Sequence, residues 1–483
     1  MPTGTSAVTT TLLLGIDVGT THLKVLATDT DGTEIVLRSV RTCWLTRPGG
    51  LVETDAKELA IAVIDLAART VRAAADRLGP VTVGALAVTG MAETGVLLDE
   101  RDAALSPAIA WFDPRGVDLL GGLPTQFADR FPAVTGLPLG SQATLAKLLW
   151  LQRSGLDLTA GRWLHIPELI VHLLGGRPAA ELSLLARTGL LDQGTGQLWP
   201  AALDLLGVGD DLFPPSVSAG TPLGVADGDT CPAELRGAIL TVAGHDHPVA
   251  AVGCGAVGPG ELFDSFGTAQ VFLRTIDQPV SEERRARLVA AGVNAVRHAV
   301  PGRWHLLGGT KAGLLLRRTL GMLGIVDEAG REALDAAAVT AAGSSSGAET
   351  GGVVEVTGAA NDDGALRVTA ITDDVTPALL WLATVRHGID QGTRLLAAMT
   401  EEFGAATATV VAGGWIRMAS VRLEKQRAAP QVRFTEREQA GAFGAAAFAS
   451  FARLSTGTGG PEQQHLDRFT RPAASAPIEE KSA

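Results

Sequence analysis

Two short stretches of this chain carry residues suited to holding phosphate. The first is Leu12-Leu13-Leu14-Gly15-Ile16-Asp17-Val18-Gly19-Thr20-Thr21-His22-Leu23-Lys24-Val25, in which apolar runs flank a turn of one glycine and two threonines. That pattern predicts a strand, a tight turn and an antiparallel return strand. Gly19 lets the backbone approach a ligand, and the hydroxyls of Thr20 and Thr21 lie beside N–H groups that suit phosphate oxygens. Asp17, near the end of a buried strand, needs a cation beside it, and hydrated Mg²⁺ is the natural candidate. An ordinary hairpin accounts for the same residues. The second stretch, Glu261 to Leu273, repeats the design with Gly267 and Thr268 in the turn. A repeat about half a chain away suggests two similar halves facing each other across a nucleotide.

From about Leu12 to Phe448 the sequence resembles the sugar-kinase, heat-shock-protein and actin ATPase superfamily, and more narrowly the FGGY carbohydrate kinases. The resemblance implies an α/β protein of two actin-like (ribonuclease H-like) domains, each a mixed sheet flanked by helices, with the active-site cleft between them. It implies ATP-dependent phosphorylation of a hydroxyl on a small sugar, most naturally a ketose such as a pentulose, or a polyol, with ATP and Mg²⁺ as cofactors. Rival functions on such a fold are an ATP-driven conformational protein and a non-catalytic sugar sensor.

The resemblance also assigns residues. Gly244-His245-Asp246-His247-Pro248 stands where the family has Gly-Asp, so Asp246 matches its catalytic base. Two other readings compete: a helix cap, or a metal site with His245 and His247, for which no third ligand is evident nearby. Substrate contacts fall on Met91, Glu93, Trp111, Asp113, Gln142, Asp246 and His247. Ala92 occupies the place where glycerol kinases have arginine, so glycerol itself is a poor fit. ATP contacts fall on Gly19, Thr20, Thr21, Lys24, Gly267, Thr268, Gly309, Thr310, Gly413, Gly414 and Met418, and the metal on Asp17. Met418 replaces a polar residue, often asparagine, at the adenine side. Trp111 is also readable as core packing, Trp415 more readily so, and Lys147 as a snorkelling lysine on an amphipathic helix.

The elements that must position these residues follow from periodicity and breakers. Apolar Leu59, Val63, Leu66, Ala67, Val71 and Ala74 predict a helix from Ala56 to Leu78, entered through Glu53-Thr54-Asp55. Val83 to Val88 predicts a buried strand, Thr144 to Arg153 a helix, and Pro377 to Phe403 a long helix. The Gly/Ser-rich run 341–352 predicts a loop. Gly253-Cys254-Gly255-Ala256-Val257-Gly258 matches a dinucleotide fingerprint by letter but follows a helix, and Gly308-Gly309-Thr310-Lys311 lacks P-loop spacing, so both are set aside.

With 483 residues and 46% hydrophobic composition, the chain suits two large domains. The expected division is 1–236, 237–454 and a polar tail 455–483. A net charge of −12 with interspersed signs argues against nucleic acid or an anionic membrane as partner. Three widely spaced cysteines argue against a disulfide framework, and no apolar run is long enough for a signal peptide or a membrane span. The expectation is a cytoplasmic protein with a small sugar or polyol as its partner, and possibly a homodimer.

Overall fold

The computed structural model describes residues 9–343, 353–358, 365–429, 431–455, 465–466 and 469. By internal contacts it divides into two compact units. One comprises residues 1–255, 296–303 and 439–483; the other comprises 256–295 and 304–438.

The first unit is built on a mixed sheet ordered Gly224–Val225, Ile239–His245, Val81–Gly90, Thr10–Val18, His22–Thr28, Glu34–Arg41. Thr10–Val18 pairs antiparallel with His22–Thr28 and parallel with Val81–Gly90, which in turn pairs parallel with Ile239–His245. The parallel strands therefore end together, at Val18, Gly90 and His245, where residues with ligand-binding chemistry lie. The apolar runs read from the sequence are fully buried here, from Leu12 to Val18 and from Ala85 to Val88. Ala56–Leu78 forms a helix with the expected bounds, its first turn capped by Asp55 accepting from the Lys57 and Glu58 amides.

Ala440–Leu454 packs on the same sheet and on the helix Asp246–Gly253. Small residues make that approach possible. A Cβ on Gly15 would fall 1.8 Å from the Ala442 carbonyl oxygen, and one on Gly444 would fall 2.0 Å from that of Val249. These contacts, with the pairing of Ile239–His245, explain why the structure changes unit after Gly255 rather than at the expected 237. The strand before Asp246 belongs to the first sheet, and the chain returns to that sheet at Gln439. The expected polar tail lies mostly outside the described residues. Within it, Leu466 and Phe469 are buried, and the Phe469 ring meets Phe443 at 5.3 Å. The predicted loop 341–352 also falls largely outside them.

In the second unit, Trp304–Thr310, Gln270–Ile276, Leu262–Phe266, Thr409–Ala412 and Val432–Phe434 lie in that order across one sheet. Leu262–Phe266 is antiparallel to Gln270–Ile276 and parallel to Thr409–Ala412. The first unit has the same sequence of pairings: a three-stranded antiparallel meander, then two strands parallel to its first member. The long helix Pro377–Phe403 covers this sheet, with Thr376 accepting from Leu379 N at its start.

Candidate active site

In the first unit the site begins at the turn between Thr10–Val18 and His22–Thr28. Gly19 N donates to the His22 carbonyl oxygen at 3.1 Å, closing the turn over Thr20 and Thr21. Its outer side is braced from elsewhere in the chain. Trp111 Nε1 donates to Thr20 Oγ1 at 2.9 Å, Trp44 Nε1 donates to the Thr20 carbonyl at 2.7 Å, and Thr42 Oγ1 donates to the Gly19 carbonyl at 2.8 Å. Trp111 thus touches the turn through its polar edge while its ring packs against the core. Asp17 sits opposite Lys24 in the strand register, but their charged atoms are 3.8 Å apart, too long for a hydrogen bond.

The second contribution comes from the strand Ile239–His245 and the helix Asp246–Gly253. Gly244, at φ +105, turns the chain into the helix, and a Cβ there would strike Ser183 Oγ at 2.4 Å. Thr89 Oγ1 donates to the Gly244 carbonyl and Ser183 Oγ accepts from His245 N, so the turn is fastened on both sides. His245 holds the cap position with no side-chain cap bond, which leaves Asp246 in the first helical turn rather than serving as the side-chain cap. His245 Nε2 lies 3.2 Å and His247 Nε2 4.0 Å from Asp246 Oδ1. The side chains of all three could therefore bind one cation, their candidate ligand atoms falling within 4.8 Å of one another. The third ligand missing from the sequence reading is Asp246 itself.

Burial pushes the Asp246 carboxyl up to about 7, and the nearby Glu93 charge adds to the rise, against the His247 amide, Arg187 and Lys24. Asp17 is pushed up to about 6, first by burial and further by Asp246, with Lys24 opposing. His247 is held below its usual value by burial and by Arg187, so its ring is neutral near pH 7. Two carboxyls raised by burial and set close enough to feel one another form the pattern of a site poised for proton transfer and for a divalent cation.

The remaining expected substrate residues divide sharply. Glu93 is buried, and its Oε1 accepts from Arg187 Nε at 2.8 Å, with Nη2 of the same guanidinium 2.7 Å away in the ion pair. Asp113 is fully buried and its carboxylate is already occupied. It accepts from Arg115 Nε and Nη2 and from the amides of Val52 and Arg115, and Arg115 also reaches Glu53. Met91 lies in the core cluster at 3% exposure. Gln142 is exposed, one residue before the first buried position of its helix entry. Lys147 does not snorkel. It is buried, and its ammonium donates to the carbonyls of Asp113 and Ser141.

Within the second unit, the expected nucleotide residues are brought together by close backbone approach. A Cβ on Gly313 would fall 1.9 Å from the Gly267 carbonyl oxygen, and one on Gly413 would fall 2.3 Å from that of Phe266. Gly413 has φ +110, so glycine is required there for two reasons. Thr310 is buried and its Oγ1 accepts from Ala312 N at the start of Ala312–Met322, while Gly309 is exposed in the strand beside Val271. Gly414 has open space around it. Met418 is buried with Phe266, Ala312, Trp381 and Val421, and Trp415 packs beside the same cluster.

Arg187 escaped sequence reasoning. It follows the short helix Leu182–Leu185 in a segment with no motif, and only the fold sets it against Glu93, 94 positions earlier. No helix is long and apolar enough to cross a membrane among the described residues.

Residues 12–253 match the model of the FGGY family of carbohydrate kinases, N-terminal domain. The L-fuculokinase of Salmonella typhi is 28% identical over 280 residues, covering 54% of this chain and 56% of that protein. The xylulose kinase of Escherichia coli K12 is 26% identical over 313 residues, covering 61% and 60%. The chain thus aligns with little more than half the length of such curated relatives. Glycerol kinase of Plasmodium falciparum with ADP superposes with a TM-score of 0.83 at 17% identity, covering 96% of this chain and 94% of that one. Xylulose kinase of Rhodospirillum rubrum gives 0.76 at 22% identity, covering 95% and 92%. At such identities the likeness speaks for the fold alone, two actin-like α/β domains.

Proposed function

Since the chain belongs to the FGGY family of carbohydrate kinases, we propose that it transfers the γ-phosphoryl group of ATP to a hydroxyl of a small ketose, with a polyol as the alternative acceptor. The observation that carries this reading is Asp246. Its carboxyl is aimed from the first turn of a helix, is tuned near neutrality, and shares its surroundings with the Asp17 hairpin. Phosphoryl transfer asks the protein for alignment and charge compensation, plus an acceptor for one proton.

As the acceptor oxygen bonds to phosphorus and the bond to ADP breaks, the hydroxyl proton passes to Asp246. The neutral His247 ring and His245 flank this carboxyl and restrict its rotation. Thr20 and Thr21 supply hydroxyl and amide donors for phosphate oxygens, and Lys24 adds a cation. In the second unit, Gly267, Thr268, Gly309 and Thr310 are proposed phosphate contacts and Gly413, Gly414 and Met418 adenosine contacts, though the burial of Met418 leaves little of its side chain to offer.

Asp17 fits a divalent cation, being a buried carboxylate whose ion-pair partner Lys24 stands at 3.8 Å, beyond hydrogen-bond range. Mg²⁺ held there would supply charge neutralisation for the phosphates.

Asp246→Asn tests the proposal. It keeps the size of the side chain but takes no proton, so kcat for the best acceptor should fall by about 10²–10⁴-fold with nucleotide affinity nearly unchanged. Wild-type kcat/KM should rise with pH through an apparent value near 7, since the base must be ionised, and that limb should disappear in the variant. Acceptors are found by measuring ADP release with ketoses, polyols and sugar acids. A folded Asp246→Asn protein with near-normal kcat sinks the assignment.

A further inference from the structure

The peptide unit that joins Gly244 to His245, immediately before Asp246, is held by side chains at both ends. Its oxygen accepts from Thr89 Oγ1 at 2.7 Å, and its N–H donates to Ser183 Oγ at 3.0 Å. Thr89 and Ser183 are both fully buried. The pairing of Ile239–His245 with Val81–Gly90 slips by one residue between Val242 and Gly244, which makes Ala243 a bulge. A bulge interrupts the ladder and re-aims the side chains beside it. The two hydroxyls thus fix a peptide at the point where the sheet's own register breaks.

Ser183 can accept from His245 because its own proton is committed elsewhere. Its Oγ donates to Glu181 Oε2 at 2.6 Å, and a hydroxyl has only one proton to give. Glu181 is held in turn, its N–H donating to Glu168 Oε1 at 2.7 Å. It also caps Leu182–Leu185 by accepting from the Ser183 and Leu184 amides. A cap alone does not call for this residue, since neutral side chains cap as well. Glu181 is 1% exposed, its Oε1 is buried with no hydrogen-bond partner among the described residues, and burial pushes its carboxyl up to about 7. Burying such a group is costly, and it lies against the one turn from which Asp246 projects. A Cβ on Gly244 would fall 2.8 Å from Glu181 Oε2.

We propose that Thr89 and Ser183, the latter oriented by Glu181, are positioning residues for Asp246. They lock the plane of the Gly244–His245 peptide, and with it the direction in which the first helical turn presents the carboxylate. None of the three has to touch a substrate. This rests on the kinase reading above, in which Asp246 takes the hydroxyl proton. Freeing the peptide displaces the base and leaves the phosphate turns in place, so turnover suffers more than binding.

The test is a pair of double-mutant cycles read in kcat, with the acceptor that gives the fastest ADP release. Ser183→Ala removes the acceptor for the His245 N–H, and Thr89→Val removes the donor to the Gly244 oxygen with little change of shape. Each should lower kcat by about 10–100-fold, the scale of misplacing a reacting group by about 1 Å. The KM for ATP and for the acceptor should change less than about threefold. In the Asp246→Asn background the same substitutions should cost less than about a further twofold, because the group they aim no longer takes a proton. Glu181→Ala should likewise add less than about twofold to the loss in Ser183→Ala, since it acts through that hydroxyl. Melts with ATP and Mg²⁺ establish folding, and if one of the two hydroxyl variants does not fold the other completes its own cycle. Equal losses with and without the Asp246 carboxylate mark a merely structural role and overturn the proposal, as does normal kcat in Ser183→Ala and Thr89→Val. If wild type phosphorylates none of the acceptors tried, the kinase reading fails on its own. The clamp is then judged by the crystal structure of Ser183→Ala: a Gly244–His245 peptide turned out of its wild-type plane upholds it, and an unmoved peptide and Asp246 carboxyl overturn it.

Discussion

The two hairpins share a topology and a Gly-Thr turn, but their acidic residues are treated in opposite ways. Asp264, on the first strand of the second hairpin, is 3% exposed and fully compensated. Lys425 forms a close ion pair with Oδ2, and Gln270 Nε2 donates to Oδ1 at 2.9 Å. The Lys425 ammonium also lies 4.7 Å from the centre of the Phe266 ring. Asp17, on the first strand of the first hairpin, is nearly as buried, but its ion pair with Lys24 is 3.8 Å long, and Asp246 pushes its carboxyl further up. One acid is spent on holding its unit together. The other is left short of positive charge, the condition under which a carboxylate recruits a cation from solution. Fold repetition does not imply repetition of chemistry.

Substitutions can break that comparison. The largest expected effect is Asp17→Asn, which removes a carboxylate proposed to act on phosphate charge. Turnover should fall at least about 100-fold, the scale of losing one preorganised electrostatic group, and added Mn²⁺ should not restore it. Full turnover of wild type in excess chelator would refute the role given to Asp17.

Next is Asp264→Ala, whose effect should be on stability. It strands the buried Lys425 ammonium, so unfolding should become easier by about 3–5 kcal/mol, lowering Tm by on the order of 10 °C. Asp17→Asn should leave Tm unchanged or higher. A melt in which the two variants behave alike removes the contrast.

A pH series sharpens it. Asp17 is raised from 3.8 to about 6, so its folded form binds the proton more tightly than its unfolded form. The resulting stabilisation is complete below 3.8 and lost as pH rises through about 6, a change of order 3 kcal/mol at about 1.4 kcal/mol per unit. Melts without metal or nucleotide should therefore show the first unit losing stability between pH 4 and 7, and Asp17→Asn should flatten that slope. An unchanged slope in the variant places the titration elsewhere.

The smallest effect is Trp111→Phe, which keeps the ring in the core and deletes its bond to Thr20 Oγ1. The loss should be about 1 kcal/mol, read as a rise of up to about fivefold in the KM for ATP with kcat held. A change confined to the acceptor KM would instead make Trp111 a sugar contact.

Much of the fold was legible because it depends on local pattern. The buried runs Leu12–Val18 and Val83–Val88, the 3.6-residue spacing in Ala56–Leu78 and the proline opening Pro377–Phe403 each act within a few residues. The unit boundary was misplaced because a strand's partner is chosen by pairing, and nothing near Gly237 announces that Ile239–His245 will join Val81–Gly90. At the site, the two Gly-Thr turns between antiparallel strands were legible through type and spacing. Asp113 shows the opposite case: its position in the family pattern suggested a ligand, yet Arg115 and the Val52 amide occupy its carboxylate.

By itself the amino-acid order determined which residues could hold phosphate, cation or proton, because those capacities belong to the side chain and its immediate backbone. What only the tertiary structure decided is which charges are compensated. Lys425 reaches Asp264 across 161 residues and Arg187 reaches Glu93 across 94, while among the described residues Lys24 comes no nearer to Asp17 than 3.8 Å. Coulomb energy depends on distance and burial, and neither is written in the order of residues.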